Sequence, residues 1–113
     1  MIKYTLAALA LALALSTSAH AQNEEPVSVS IEFCTTMASL AETVMVGRQA
    51  GVPMDKMMGQ AFNTDGSPNE LGMAIINAAF SVERYSSEEY QTRAAQDFRN
   101  AVFQNCYETR RYK

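Results

Sequence analysis

Residues 30–53 read SIEFCTTMASLAETVMVGRQAGVP, and their spacing decides the fold. At about 100° per residue, Cys34, Met37, Ala38, Ala41, Val44 and Met45 fall within about a third of a helix circumference. Thr35, Thr36, Ser39, Glu42 and Thr43 fill the other side. Val46 breaks the pattern and is predicted to point outward. The stretch therefore predicts an amphipathic helix starting near Ser30. Gly51 is placed to supply the left-handed residue that ends it. Pro53 cannot continue that helix but suits the first turn of another.

Working outward, a second, short helix is predicted over 53–62. Met54, Met57, Met58 and Ala61 share one face of it; Asp55, Lys56 and Gln60 share the other. The segment NTDGSP, residues 63–68, consists of turn formers and breaks the helical pattern. A third helix is expected with Ser67 as N-cap, Pro68 in its first position and Glu70 closing a capping box. Its apolar arc is wide, taking in Leu71, Met73, Ile75, Ile76, Ala78, Ala79, Phe80 and Val82. That width predicts the central, most buried helix. A second capping box at 86–89, with Ser86 as cap, starts the last helix. It carries Tyr90, Ala94, Phe98, Ala101, Val102 and Cys106 toward one side. No stretch alternates with the period of a strand. The expectation is an all-α domain over 30–113, a bundle of about four helices.

The other end of the chain reads differently. Lys3 is followed by LAALALALAL over 6–15, then by Ser16-Thr17-Ser18 and Ala19-His20-Ala21. A positive start, a short apolar run and a small-x-small site form a signal-peptide pattern over 1–21. Ten residues fall short of the roughly 20 that a membrane span needs. The alternative is an uncleaved N-terminal anchor. No cysteine follows Ala21 directly, which argues against a lipoprotein. Cleavage would leave Gln22–Lys113 with a polar leader over 22–29 and no apolar run resembling a membrane span. His20 is the only histidine and would leave with the peptide. Taking Lys3 from the nine basic residues leaves eight against twelve acidic ones. A net charge near −4 argues against a nucleic-acid binder.

Export changes how Cys34 and Cys106 are read. Oxidising compartments keep disulfides, and small exported domains rely on them. One intramolecular pairing is possible. It would close a loop of about 73 residues, for which the chain-entropy model gives roughly 4 kcal/mol. The bridge would clasp the first and last helices, most simply if they pack antiparallel. The other reading, a redox-active or intermolecular pair, would usually show a C-x-x-C spacing, which is absent.

Little catalytic chemistry remains. Without His20 the most versatile general base is gone, and no Ser-His-Asp or Cys-His arrangement can be built. No enzyme activity, cofactor, catalytic residue or metal site is expected. The segment NTDGSPNE fails as a calcium loop: with Gly66 at position 6, Ala61 falls at position 1 and Gly72 at 12, where the bidentate glutamate belongs. Met54, Met57 and Met58 are the sharper feature. Three thioethers on one face suit core packing, a face for a protein partner, or a soft copper(I) ion.

A wider pattern runs over roughly residues 33–107. It comprises Cys34 with Met37 and Leu40-Ala41, then Met45 with Arg48-Gln49-x-Gly51-Val52, and Met57-Met58. Ala79-Phe80, Tyr85-Ser86 and Phe98-Arg99-Asn100 lead on to Cys106. In these elements the chain resembles small exported helical proteins frequent in proteobacterial genomes and prophages. The resemblance implies paired cysteines and assigns no activity. The expected function is a periplasmic or secreted protein-interaction module, with Met54, Met57 and Met58 as candidate face. Two alternatives stand beside it. One is an acid-activated chaperone, in which protonated carboxylates loosen the packing. The other is an inhibitor of a wall-active or host enzyme.

Overall fold

The computed structural model describes residues 27–111. The signal-peptide reading of 1–21 and residues 22–26 of the predicted leader lie outside the described residues. Four helices follow in order: α1 (Val27–Ala50), α2 (Met54–Gly59), α3 (Glu70–Phe80) and α4 (Glu88–Arg111). Among the described residues there is no strand, only an isolated antiparallel bridge between Phe62 and Pro68. The chain is all-α, as its periodicity predicts. α1 begins at Val27, three residues before Ser30, so 27–29 of the predicted leader are helical.

The frame is the α1–α4 pair. Cys34 is bonded to Cys106, with Cα atoms 5.6 Å apart. Further along, Arg99 Nη1 donates to Glu42 Oε1 at 2.7 Å. Moving up α1 from Cys34 to Glu42 therefore moves down α4 from Cys106 to Arg99, and the helices run antiparallel. Small side chains are buried on both: Cys34, Ala38 and Ala41 on α1, Ala94 and Ala95 on α4. Short side chains at a contact let helix axes approach closely. The Glu42–Arg99 pair is more than a third exposed and contributes only about 0.2–1 kcal/mol.

The central helix is α1, not α3. α1 packs on both α4 and α3 and buries Ser30, Cys34, Ala38, Ala41, Val44, Met45 and Gln49. α3 buries Gly72, Ile75, Ile76 and Ala79 but leaves Leu71 47 % exposed. The reason is length. The 11 residues of α3 span about 16 Å, against about 36 Å for each 24-residue helix of the frame. A short helix laid on a longer pair is covered on one side only. By length and hydropathy alone α1 also passes as a membrane span, contrary to the expectation that nothing beyond Leu15 does. In the bundle it is the core helix, tied to α4 through Cys34 and Glu42.

The helix ends are closed by specific caps. Gly51, at φ 93°, ends α1 as predicted. Gly51 N–H donates to Arg48 C=O at 3.1 Å and Val52 N–H to Gly47 C=O at 3.0 Å, the paired bonds of a Schellman motif. A Cβ at Gly51 would also lie 2.8 Å from Arg84 Nη2. The cap of α3 is Asn69, not Ser67: its Oδ1 accepts from Gly72 N–H at 3.0 Å. Pro68 is held by the bridge to Phe62 and lies before the helix. Likewise α4 is capped by Ser87, whose Oγ accepts from Tyr90 N–H at 3.2 Å, rather than by Ser86. Asn69→Ala is expected to cost about 1 kcal/mol, measured by urea denaturation, while Ser67→Ala costs less.

Candidate functional site

Three features gather the polar and exposed apolar groups that a function would use. The first is the α2 surface. Met54, Met57 and Met58 are half-buried and pack against the core. Gly47 of α1 makes room for Met57: a Cβ there would sit 2.5 Å from Met57 Cε and 3.7 Å from Val52 Cγ2. α2 is only 6 residues long, and its N-cap Pro53 makes no side-chain bond. Its position thus depends on its packing against α3 and the core, with Met57 reaching α1 at Gly47. Val52 before α2 is 38 % exposed and Phe62 after it 48 %. The three thioethers are both packing and partial surface, a dual use that their flexibility permits. Val46 is exposed, as predicted.

The second feature is the turn after α2. Asp65 Oδ1 accepts from Ser67 N–H at 2.9 Å and from Ser67 Oγ–H at 2.7 Å. These bonds, the hydroxyl first, hold the Asp65 carboxyl below its ordinary range. Asn63 N–H donates to Ser67 C=O at 2.8 Å, and its Nδ2 donates to Ser67 Oγ at 2.9 Å. Asp65 Oδ1, an oxygen that a calcium loop would aim at a cation, is here used to close the turn.

The third feature was not predicted. The end of α1 grips the segment between α3 and α4. Gln49 is 2 % exposed, yet both ends of its amide are engaged. Nε2 donates to Glu83 C=O at 2.9 Å, and Oε1 accepts from Tyr85 N–H at 2.7 Å. Arg48 donates to Val82 C=O through Nε at 3.3 Å and Nη2 at 3.1 Å, with its guanidinium 4.7 Å above the Phe80 ring. Arg84 returns a bond from Nε to Gln49 C=O at 3.0 Å, where a cation suits a helix C-terminus. Gln91 Nε2 donates to Tyr85 C=O at 2.8 Å, tying α4 to the same segment. The available signal was Gln49 itself. It is a polar residue four positions after Met45 on the buried stripe.

The structure thus joins Cys34 to Cys106 and sets Met54, Met57 and Met58 on one half-covered patch. Among the described residues no group of three or more His, Cys, Asp or Glu gathers. Comparison with known proteins finds no matching family model, curated protein or solved structure.

Proposed function

We propose that this chain is an exported, non-enzymatic protein-interaction module that presents its α2 surface to a protein partner. The observation that carries the reading is the meeting of exposed Val52 and half-buried Met57 over Gly47. Met54 and Met58 stand beside Met57 on α2, and exposed Phe62 follows. Adaptable thioethers flanked by exposed apolar groups form a surface that a partner can cover. The bundle behind it is held by the disulfide and the Gln49 clasp. Export is supported by the leader pattern over 1–21 and by the bridge, which oxidising compartments preserve. The resemblance to small exported proteins points the same way.

Pull-down from a periplasmic extract is expected to recover one defined partner. Joint replacement of Met54, Met57 and Met58 by glutamine should abolish recovery. Met57 also packs on α1, so Val52→Glu and Phe62→Glu provide exposed substitutions that spare the core. Circular dichroism confirms that each variant folds. Undiminished recovery with all of these folded variants would count against the α2 surface. Mass spectrometry of the native protein tests export: a chain starting at Gln22 supports it, and one starting at Met1 overturns it.

A further inference from the structure

Sulfur is where a mild oxidant attacks a protein, as thiol or as thioether. Both cysteines are already joined in the bridge, and the chain has no tryptophan. The methionines carry the oxidisable chemistry that remains, and their surroundings differ. Met45 is fully buried, and its Sδ accepts from Gln49 Nε2 at 3.5 Å. Met54, Met57 and Met58 are half-buried on α2, where solvent reaches them. Met37 and Met73 are half-buried too, but they stand on α1 and α3, which are anchored by other buried residues.

α2 has no such second hold. Among the described residues, none of its side chains forms a hydrogen bond or ion pair, and none of its residues is fully buried. It stays in place by packing its methionines on the core. Met57 carries its methyl into the space beside Gly47, the space that a Cβ there would fill. The backbone it meets is already committed. Gly47 C=O accepts from Val52 N–H at 3.0 Å, and Gly47 N–H lies within the α1 ladder. An oxygen added to the Met57 sulfur would find no donor on that backbone.

We propose that Met57 is an oxidation switch: a hydroperoxide converts its thioether to the sulfoxide, and α2 then leaves the core. The sulfur lone pair attacks one peroxide oxygen, and the O–O bond breaks. That oxygen stays on sulfur as the sulfoxide. Its proton passes to the departing hydroxide, which leaves as water, so sulfur is oxidised and the peroxide reduced. The product is a larger, polar group set against Gly47, and burying it without a partner is unfavourable. Once undocked, a helix of 6 residues is too short to persist alone. Met54 and Met58 then lose their fixed placement beside Val52 and Phe62, and the α2 surface is dismantled. That last consequence for partner binding rests on the reading of α2 as the partner face; the release of α2 does not.

The test treats the native, disulfide-bonded protein with hydrogen peroxide. Peptide mass spectrometry locates the oxygen taken up, and amide hydrogen exchange follows α2. Met57 should be oxidised at least about tenfold faster than buried Met45. On oxidation the amides of Met57, Gln60 and Ala61, which close α2 and its end, should exchange at least about tenfold faster. Amides in the middle of α4 should keep their protection. Methionine sulfoxide reductases should reverse both changes. Met57→Leu keeps the apolar volume and should hold α2 in place under peroxide, with circular dichroism checking the fold. Met54→Leu combined with Met58→Leu should respond as wild type does. Unchanged α2 protection with Met57 fully oxidised would overturn the proposal. So would α2 release that persists in Met57→Leu, or oxidation of Met45 as fast as Met57. Release of α2 with undiminished partner recovery would sink the partner-face reading and leave the switch standing.

Discussion

Reducing the Cys34–Cys106 bridge is expected to lower the stability of this domain by about 4 kcal/mol. The sequence separation of the two cysteines is 72. The loop they close contains every member of the buried apolar cluster, from Ala41 to Ala95. In the unfolded chain the bridge therefore restricts the segments that must find one another, and breaking it releases that entropy. A domain of this size has a net stability of only about 5–15 kcal/mol, so the loss is a large share. At 4–8 °C per kcal/mol for small domains, the melting temperature should fall by about 20 °C. Thermal melts by circular dichroism, with and without a phosphine reductant, measure it. The double variant Cys34→Ala with Cys106→Ala should behave like the reduced protein, because Cys34 is fully buried and alanine keeps the site apolar. A single Cys34→Ser should be worse, since it adds a buried hydroxyl. A shift under about 5 °C on reduction would mean that the α1–α4 contact is self-sufficient.

The bridge was legible because two cysteines permit one intramolecular pairing, and the helices because apolar spacing is a strong signal. What the sequence misjudged has physical causes. Both N-caps lie one or two residues later than the capping-box pattern predicts. Serine and asparagine qualify equally as caps, and Ser67 and Asn69, or Ser86 and Ser87, stand almost adjacent. The choice was made by the turn, where Asp65 takes Ser67 and the Phe62–Pro68 bridge keeps the proline before the helix. α3 was expected at the centre because its apolar arc is widest. An arc shows what would gain by burial, not whether neighbours reach it, and Leu71 remains exposed. α1 carries a less continuous stripe but has the length and the small residues to receive two partners. That same mismatch of lengths leaves a groove lined by Phe33 and Leu71, which no local pattern announces. The Gln49 clasp escaped for a different reason. Its partners are backbone groups 34–36 positions away, and side-chain periodicity does not report them.

Removing that clasp is the second large effect. Gln49→Leu is expected to destabilise the protein by about 3 kcal/mol, although it replaces a polar residue by an apolar one of similar size. The gain from burying leucine is offset by two backbone groups left behind: Tyr85 N–H and Glu83 C=O lose the amide that satisfied both. Leaving a buried donor or acceptor without a partner costs about 1–3 kcal/mol each, and partial exposure of the 83–85 segment keeps the total below the upper sum. Hydrogen exchange gives the specific readout. The Tyr85 amide should lose protection in Gln49→Leu while amides in the middle of α4 keep theirs relative to global stability. Gln49→Glu separates the bond from the volume. At neutral pH it places a carboxylate in a site 2 % exposed and removes the donor to Glu83, so it should be at least as damaging as leucine. Burial and the facing carbonyl raise the folded-state pKa of that glutamate above its unfolded value. The destabilisation is therefore present above the unfolded pKa, grows as pH rises through the folded pKa, and is relieved on acidification, when the protonated carboxyl can donate to Glu83 C=O. Urea midpoints from pH 7 down to pH 4 should approach wild type for Gln49→Glu and stay low for Gln49→Leu. If Gln49→Leu matched wild type and kept Tyr85 protected, the crossover between α3 and α4 would be held by Arg48, Arg84 and Gln91 alone.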